Sequence, residues 1–181
     1  MRILGGSAKG RQIFTLKNDD IRPTGAKVRA AIFNMIAPYV YGSVFLDAFA
    51  GSGAMGIESL SRGAKKSVFI DINASSIDII KKNVKNTGFD AKSFILKENF
   101  FNFIRQNNSK FDIIFADPPY AMDQVCDILL KIEKADILNN EGLLIIEHDY
   151  NVAINQGSAL TLIKQKKYSA TMVSIYERAC K

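Results

Sequence analysis

The stretch Ser43-Val-Phe-Leu-Asp47-Ala-Phe-Ala-Gly51-Ser-Gly53-Ala-Met-Gly56-Ile-Glu58-Ser-Leu60 decides the fold. It opens with an apolar run of strand length and turns through glycines spaced G-x-G-x-x-G. It then continues as an apolar helix that Gly63 is expected to stop. Strand, glycine turn and helix in that order mark a nucleotide-type ligand at the carboxyl edge of an open α/β sheet. Glycine lets main chain approach such a ligand without a side chain in the way.

Downstream, the alternation repeats. Short apolar runs predict strands at 67–72, 93–96, 111–117 and 142–147. Helices are expected between them. One is capped by Asn73 and stops near Gly88, a short one covers 99–105, and one shares a face among Val125, Ile128, Leu129 and Ile132. Segments 158–166 and 171–177 read as a closing antiparallel pair. Such alternation implies right-handed crossovers and a largely parallel sheet with helices on both faces, an α/β fold.

Upstream, 2–4 and 12–14 flank a glycine-rich turn and read as a hairpin. Thr24 is the expected N-cap of a helix whose apolar face is Val28, Ile32, Met35 and Ile36, and Pro38 is expected to end it. Lys27 and Arg29 fall off that face. Residues 1–42 carry Arg2, Lys9, Arg11, Lys17, Arg22, Lys27 and Arg29 against Asp19 and Asp20, a net +5 of the chain's +6. A local basic excess is the footprint of a polyanion partner. Residues 1–42 are therefore expected to be a basic, polyanion-binding extension, and 43–181 the ligand-binding domain.

The 181 residues, 48% hydrophobic and 23% charged, suffice for one core. No apolar run reaches the roughly 18 residues that span a bilayer, and the N-terminus has no secretory pattern, so a cytoplasmic location is expected. Cys126, Cys180 and the single histidine, His148, are too scattered for zinc, and one histidine makes a Ser-His-Asp triad hard to build. His148 reads as a strand-end surface residue.

Two acids qualify the ligand. Asp47 stands at the strand end, where a carboxylate suits the cationic amino-acid portion of S-adenosylmethionine and would crowd a pyrophosphate. Asp71 follows Gly51 by 20 residues and can accept ribose hydroxyls in either case. The fourth strand then ends in Asp117-Pro118-Pro119-Tyr120. The prolines stiffen the backbone and fix its carbonyls, Asp117 adds carboxylate oxygens, and Tyr120 adds a stacking face. Acceptors beside an aromatic plate match the exocyclic amine of a base.

On these residues the chain resembles the 16S ribosomal RNA guanine-N2 methyltransferases, the RsmD family. The likeness runs nearly end to end. It is carried by Arg2-Ile-Leu-Gly-Gly-Ser-Ala-Lys-Gly-Arg11, Ile21-Arg-Pro-Thr24 with Val28-Arg29, Leu46 to Ala54, Glu58 to Ala64 and Asp117 to Tyr120. It implies a Rossmann-like class I methyltransferase with a mostly parallel seven-stranded sheet and an antiparallel C-terminal strand. It implies S-adenosylmethionine as donor, S-adenosylhomocysteine as product, and the N2 amine of a guanine in 16S RNA as acceptor. The cofactor residues implied are Asp47, Phe49, Ala50, Gly51 and Gly53, then Asp71, Ile72, Asn99, Phe100 and Asp117. Asp71 stands where the family more often has Glu. The target-base residues implied are Asp117, Pro118, Pro119 and Tyr120, and the RNA contacts are Arg2, Lys9, Arg11, Arg22, Thr24, Lys27 and Arg29. The expected partner is 16S RNA, free or within a 30S subunit or assembly intermediate. No membrane or metal partner is expected, and the chain is expected to act as a monomer.

The residues alone leave other readings open. One is an amino methyltransferase acting on DNA adenine, a protein amide or a small molecule. DNA amino methyltransferases share a similar Pro-Pro-Tyr motif, and the basic N-terminal segment argues against a small molecule but not against DNA. A non-catalytic RNA-binding assembly factor on the same fold would also carry the basic segment. A plain dinucleotide-binding protein would leave Asp47 and Asp117 to Tyr120 without a role.

Overall fold

The apolar runs become strands β1 (Val44–Ala48), β2 (Lys66–Asp71), β3 (Ser93–Lys97), β4 (Phe111–Ala116), β5 (Leu138–Asp149), β6 (Leu160–Tyr168) and β7 (Thr171–Arg178). The computed structural model describes residues 1–15, 25–118, 122–152, 154 and 159–180, with main chain alone for 122–126. The seven strands form one sheet in the order β3-β2-β1-β4-β5-β7-β6. β1 to β5 are parallel, and β7 inserts antiparallel between β5 and β6. The chain order reverses between β1 and β4. That switch point opens a crevice beyond their carboxyl ends.

The helices are α1 (Ala26–Met35), α2 (Ala37–Val40), α3 (Ala54–Ser61), α4 (Ala74–Thr87), α5 (Phe100–Gln106) and α6 (Met122–Ala135). Asn73 caps α4 by accepting from Ser75 N–H at 2.8 Å, and Gly88, at φ 76°, ends it. No helix among the described residues is long and apolar enough to cross a membrane.

Three boundaries differ from expectation. α1 starts with Gly25 in the capping position, and Arg22, Pro23 and Thr24 lie outside the described residues. α1 ends at Met35, ahead of Pro38 as expected, but Pro38 does not end helical structure altogether. It sits in the first turn of α2, where its missing N–H is harmless. β5 begins at Leu138, ahead of its apolar run, because Asn139-Asn140-Glu141 adds a polar, irregular start with Glu141 at φ 59°.

Both sheet faces are covered. On one, Ile3, Ile13, Ile32, Phe33 and Ile36 pack with Phe45, Ile113, Ile145 and Ile175. On the other, Leu46, Ile114 and Leu144 pack with Phe103, Ile128, Leu129 and Ile132. Residues 1–42 are thus part of a shared core. Burying each large apolar side chain contributes roughly 1.5–3 kcal/mol. Five such side chains from this segment amount to on the order of 10 kcal/mol, comparable with a whole domain's stability.

Candidate active site

β1 and β4 lie side by side with Ala48 opposite Ala116. Whatever follows each strand therefore meets at one edge. After β1 comes the glycine turn, and after β4 come Asp117 and Pro118.

The turn is held from several sides. Phe49 takes φ 63°, a strained value for a side chain this large, and its ring packs 5.0 Å from that of Phe100. Ala50 N–H donates to the Ile70 carbonyl at 2.9 Å, and Gly53 N–H to the Ala50 carbonyl at 2.7 Å. Gly51, at φ 54°, donates its N–H to Asp71 Oδ2 at 2.8 Å. A Cβ on Gly51 would meet nothing within 4 Å, so its main chain borders open space. Gly56 does a different job. A Cβ there would stand 2.3 Å from the Phe69 ring and 2.5 Å from Ser67 Oγ, so this glycine lets α3 pack onto β2.

Asp47 is buried, and its Oδ2 accepts the Gly56 N–H at 2.8 Å. Burial pushes its carboxyl well above the usual range. The Gly56 N–H opposes that, while Asp117 and Asp71 add to it. Asp71 accepts from Gly51 N–H and, through Oδ1, from Asn73 N–H at 2.8 Å. It thus ties the turn to the end of β2. Ile72 beside it is 66% exposed, an apolar face at the rim. Asn99 caps α5 with its carbonyl oxygen, accepting from Phe101 N–H at 2.9 Å and Asn102 N–H at 3.3 Å. The Phe100 ring is buried in the core. Asp117 is half-buried and Pro118 buried, while Pro119 and Tyr120 lie outside the described residues.

Asp47, Asp71 and Asp117 therefore gather three carboxyl groups around an open glycine turn, where a bound cation would favour the charged form of Asp47 that burial opposes. The donor set fits a ligand with a cationic amino-acid end and a nucleoside end. It would repel a pyrophosphate.

Among the basic residues, Arg2, Lys9, Arg11 and Lys27 are exposed. Arg2 donates to the Gly10 carbonyl at 2.8 Å and Arg11 to the Asn86 carbonyl at 3.2 Å. Arg29 corrects the expectation. It is fully buried, with its Nε 3.7 Å from Glu58 Oε2 and its Nη2 donating to the Arg2 carbonyl at 2.6 Å. It lies off the apolar stripe of α1 because Glu58 on α3 claims it, so it is spent on the fold and unavailable to phosphate. His148 also departs from expectation. It is buried because β7 covers that side of β5, and its Nε2 lies 2.9 Å from Ser174 Oγ.

The sequence reading missed the groups that seat the N-terminal segment. Glu58 accepts Leu4 N–H at 2.8 Å and the Arg62 Nε–H at 2.8 Å. Ser61 Oγ accepts Ala8 N–H at 3.0 Å. Asn83 binds Phe14 and the Ser52 carbonyl. A signal was present. Glu58 and Ser61 stand in a helix otherwise apolar enough to be buried, and Asn83 adjoins the Ile80 and Val84 stripe.

A family profile described as Conserved hypothetical protein 95 matches residues 1–177. YlbH of Bacillus subtilis (strain 168) is 34% identical, over 98% of this chain and 99% of its own. Ribosomal RNA small subunit methyltransferase D of Escherichia coli (strain K12) is 32% identical, over 82% of this chain and 75% of its own. The solved structure of yhhF from Escherichia coli matches with a TM-score of 0.89 at 28% identity, covering 100% of this chain and 99% of that one. The chain belongs to the RsmD family, and its sheet is that of the Rossmann-like methyltransferases.

Proposed function

We propose that this chain transfers a methyl group from S-adenosylmethionine to the exocyclic N2 amine of a guanine in small-subunit ribosomal RNA. One observation carries the reading. The acidic glycine turn after β1 and Asp117-Pro118 after β4 share the edge where two adjacent parallel strands end. Relatives named as ribosomal RNA small subunit methyltransferases support the substrate class.

The donor supplies an electrophilic methyl carbon on a sulfonium. Asp47 holds the ammonium end, and the main chain at Gly51 lets the ligand lie close. Asp71 keeps that turn in place and has lone pairs left for ribose hydroxyls. Ile72 covers one face of the adenine, and Asn99 offers its amide N–H groups to the ring. Asp117 accepts an N–H of the target amine, which keeps the nitrogen lone pair aimed at the methyl carbon. The new C–N bond forms as the sulfonium C–S bond breaks, S-adenosylhomocysteine is the leaving group, and the extra proton on the nitrogen passes to the Asp117 carboxylate or to water. Holding the base flat falls to Pro118 and, by the family motif, to Pro119 and Tyr120. Arg2, Lys9, Arg11 and Lys27 contact phosphates, and the family motif adds Arg22 and Thr24 as further RNA contacts.

The test offers labelled S-adenosylmethionine with 30S subunits, free 16S RNA and DNA in parallel. N2-methylguanosine from a ribosomal substrate, lost in Asp117→Ala, is the expected result. Label in DNA alone would move the protein to another acceptor. Cofactor binding without transfer to any acceptor would favour a binding factor.

A further inference from the structure

We infer that the tip of the β6–β7 hairpin is a second RNA-contacting rim, facing the same edge as Asp117. This rests on the reading above that the substrate is RNA. The placement follows from topology. β5 and β6 both run antiparallel to β7, so the far end of β6 reaches the edge where β1 and β4 end. Tyr150 follows β5 at that edge, and its N–H donates to the Ala170 carbonyl at 3.1 Å.

The chemistry there is basic and aromatic. From Tyr150 to Tyr176 the sequence has three lysines, Lys164, Lys166 and Lys167, and no acidic residue. All three lysines are exposed, and none joins an ion pair among the described residues. Lys167 Nζ lies 3.3 Å from the centroid of the Tyr150 ring, and Lys166 Nζ lies 5.5 Å from that of Tyr168. The acid paired with the hairpin tip, Asp149 opposite Thr171, turns its Oδ1 back onto Asn151 N–H at 2.8 Å. Tyr150 is 43% exposed. An arriving nucleotide can use both parts. Its phosphate draws the ammonium off the ring, and its base takes the aromatic face so uncovered. Because Lys166 and Lys167 alternate across β6, positive charge appears on both faces of this edge strand.

Lysines on an edge strand have a simpler use, which is blocking pairing with another sheet. Charge reversal separates the two, because glutamate protects an edge as well as lysine does but repels phosphate. The experiment compares wild type with Lys166→Glu/Lys167→Glu, titrating 16S RNA at several salt concentrations and S-adenosylmethionine separately. Thermal unfolding controls for the fold.

The expected result is RNA affinity weaker by about tenfold or more near 0.1 M salt, with the salt slope reduced by about one per lysine. Cofactor affinity and the unfolding midpoint should not change. Tyr150→Ala should weaken RNA binding while keeping the salt slope, because stacking releases no counterions. Equal RNA affinity and slope in wild type and double variant would overturn the inference and leave the methyltransferase reading intact. A loss that merely follows a lowered unfolding midpoint would also overturn it. Wild-type protein that neither binds nor methylates the RNA would remove the underlying reading, and this rim with it.

Discussion

Asn83 and Phe14, 69 residues apart, are joined by two hydrogen bonds through one amide: Oδ1 accepts Phe14 N–H at 2.7 Å and Nδ2 donates to the Phe14 carbonyl at 2.9 Å. The same Nδ2 donates to the Ser52 carbonyl at 2.8 Å, within the glycine turn. One side chain on α4 therefore fastens the basic N-terminal segment and the glycine turn to the same helix.

Replacing Asn83 with Ala should leave three main-chain groups without this partner. At about 1–3 kcal/mol for each group left unsatisfied, and with partial relaxation, the loss should be about 2–4 kcal/mol in urea unfolding. Cofactor affinity should fall severalfold because the Ser52 carbonyl is released. Asn83→Asp should do no better, since a carboxylate cannot donate. Unchanged cofactor affinity in a folded Asn83→Ala protein would mean that the turn is held without this bond.

Asn83 also shows where sequence reading stops. The strands and the turn were legible because apolar period and glycine spacing report directly on main-chain geometry. The caps at Asn73 and Gly88 were legible for the same reason. A buried polar group is different. Its role depends on a partner distant in sequence: the place of Asn83 beside the Ile80 and Val84 stripe marks it as buried, unlike the exposed Asn86, but nothing local says that it binds Phe14 and Ser52. Arg29 was misread on the same ground. A basic residue beside Lys27 looks like surface charge until Glu58 on α3 is found against it. β5 was read too short because its first residues are polar and irregular, while its apolar run begins at Gly142.

The buried Arg29–Glu58 pair makes a prediction opposite to that for the exposed bases. Burial works against the Arg29 charge, and Glu58 supports it. Arg29→Ala strands the Glu58 carboxylate, relieved in part by Arg62 and Leu4 N–H, and should cost about 3–5 kcal/mol. The salt slope of RNA binding should stay as in wild type. Lys27→Glu, on an exposed residue, should do the reverse, leaving stability within about 0.5 kcal/mol and weakening RNA binding. Equilibrium unfolding and RNA titrations on both variants check this. A reduced slope for Arg29→Ala at full stability would return Arg29 to the RNA surface.

Gly51 and Gly56 should fail in different ways. At Gly51 an added Cβ meets no protein atom within 4 Å, so Gly51→Val costs mainly its left-handed φ, about 1–2 kcal/mol, yet places bulk where the proposed ligand lies. Cofactor binding should be lost in a folded protein. Gly56→Ala drives a Cβ into the Phe69 ring and Ser67 Oγ, and should cost about 1–3 kcal/mol in unfolding before any effect on the ligand. Paired calorimetry and unfolding curves distinguish them. Normal cofactor affinity in Gly51→Val would move the ligand away from the turn.

Asp47 makes the binding reaction depend on pH. Its carboxyl, ordinarily near 3.8, is raised in the folded protein mainly by burial. Between those two values the native state holds a proton that the unfolded chain has released. Its stability therefore falls as pH rises through that window. A cation bound against Asp47 favours the charged form and lowers the carboxyl again. Cofactor binding should then release a proton and tighten as pH rises toward the apo value. Calorimetry in two buffers of different ionisation heat measures that proton directly. Asp47→Asn should abolish it, flatten the fall in stability above pH 3.8, and weaken cofactor binding, while Oδ1 of the new amide can still accept from Gly56 N–H. Undiminished proton release in Asp47→Asn would assign the titration to another group, with Asp117 the first to test because it lies close enough to raise Asp47.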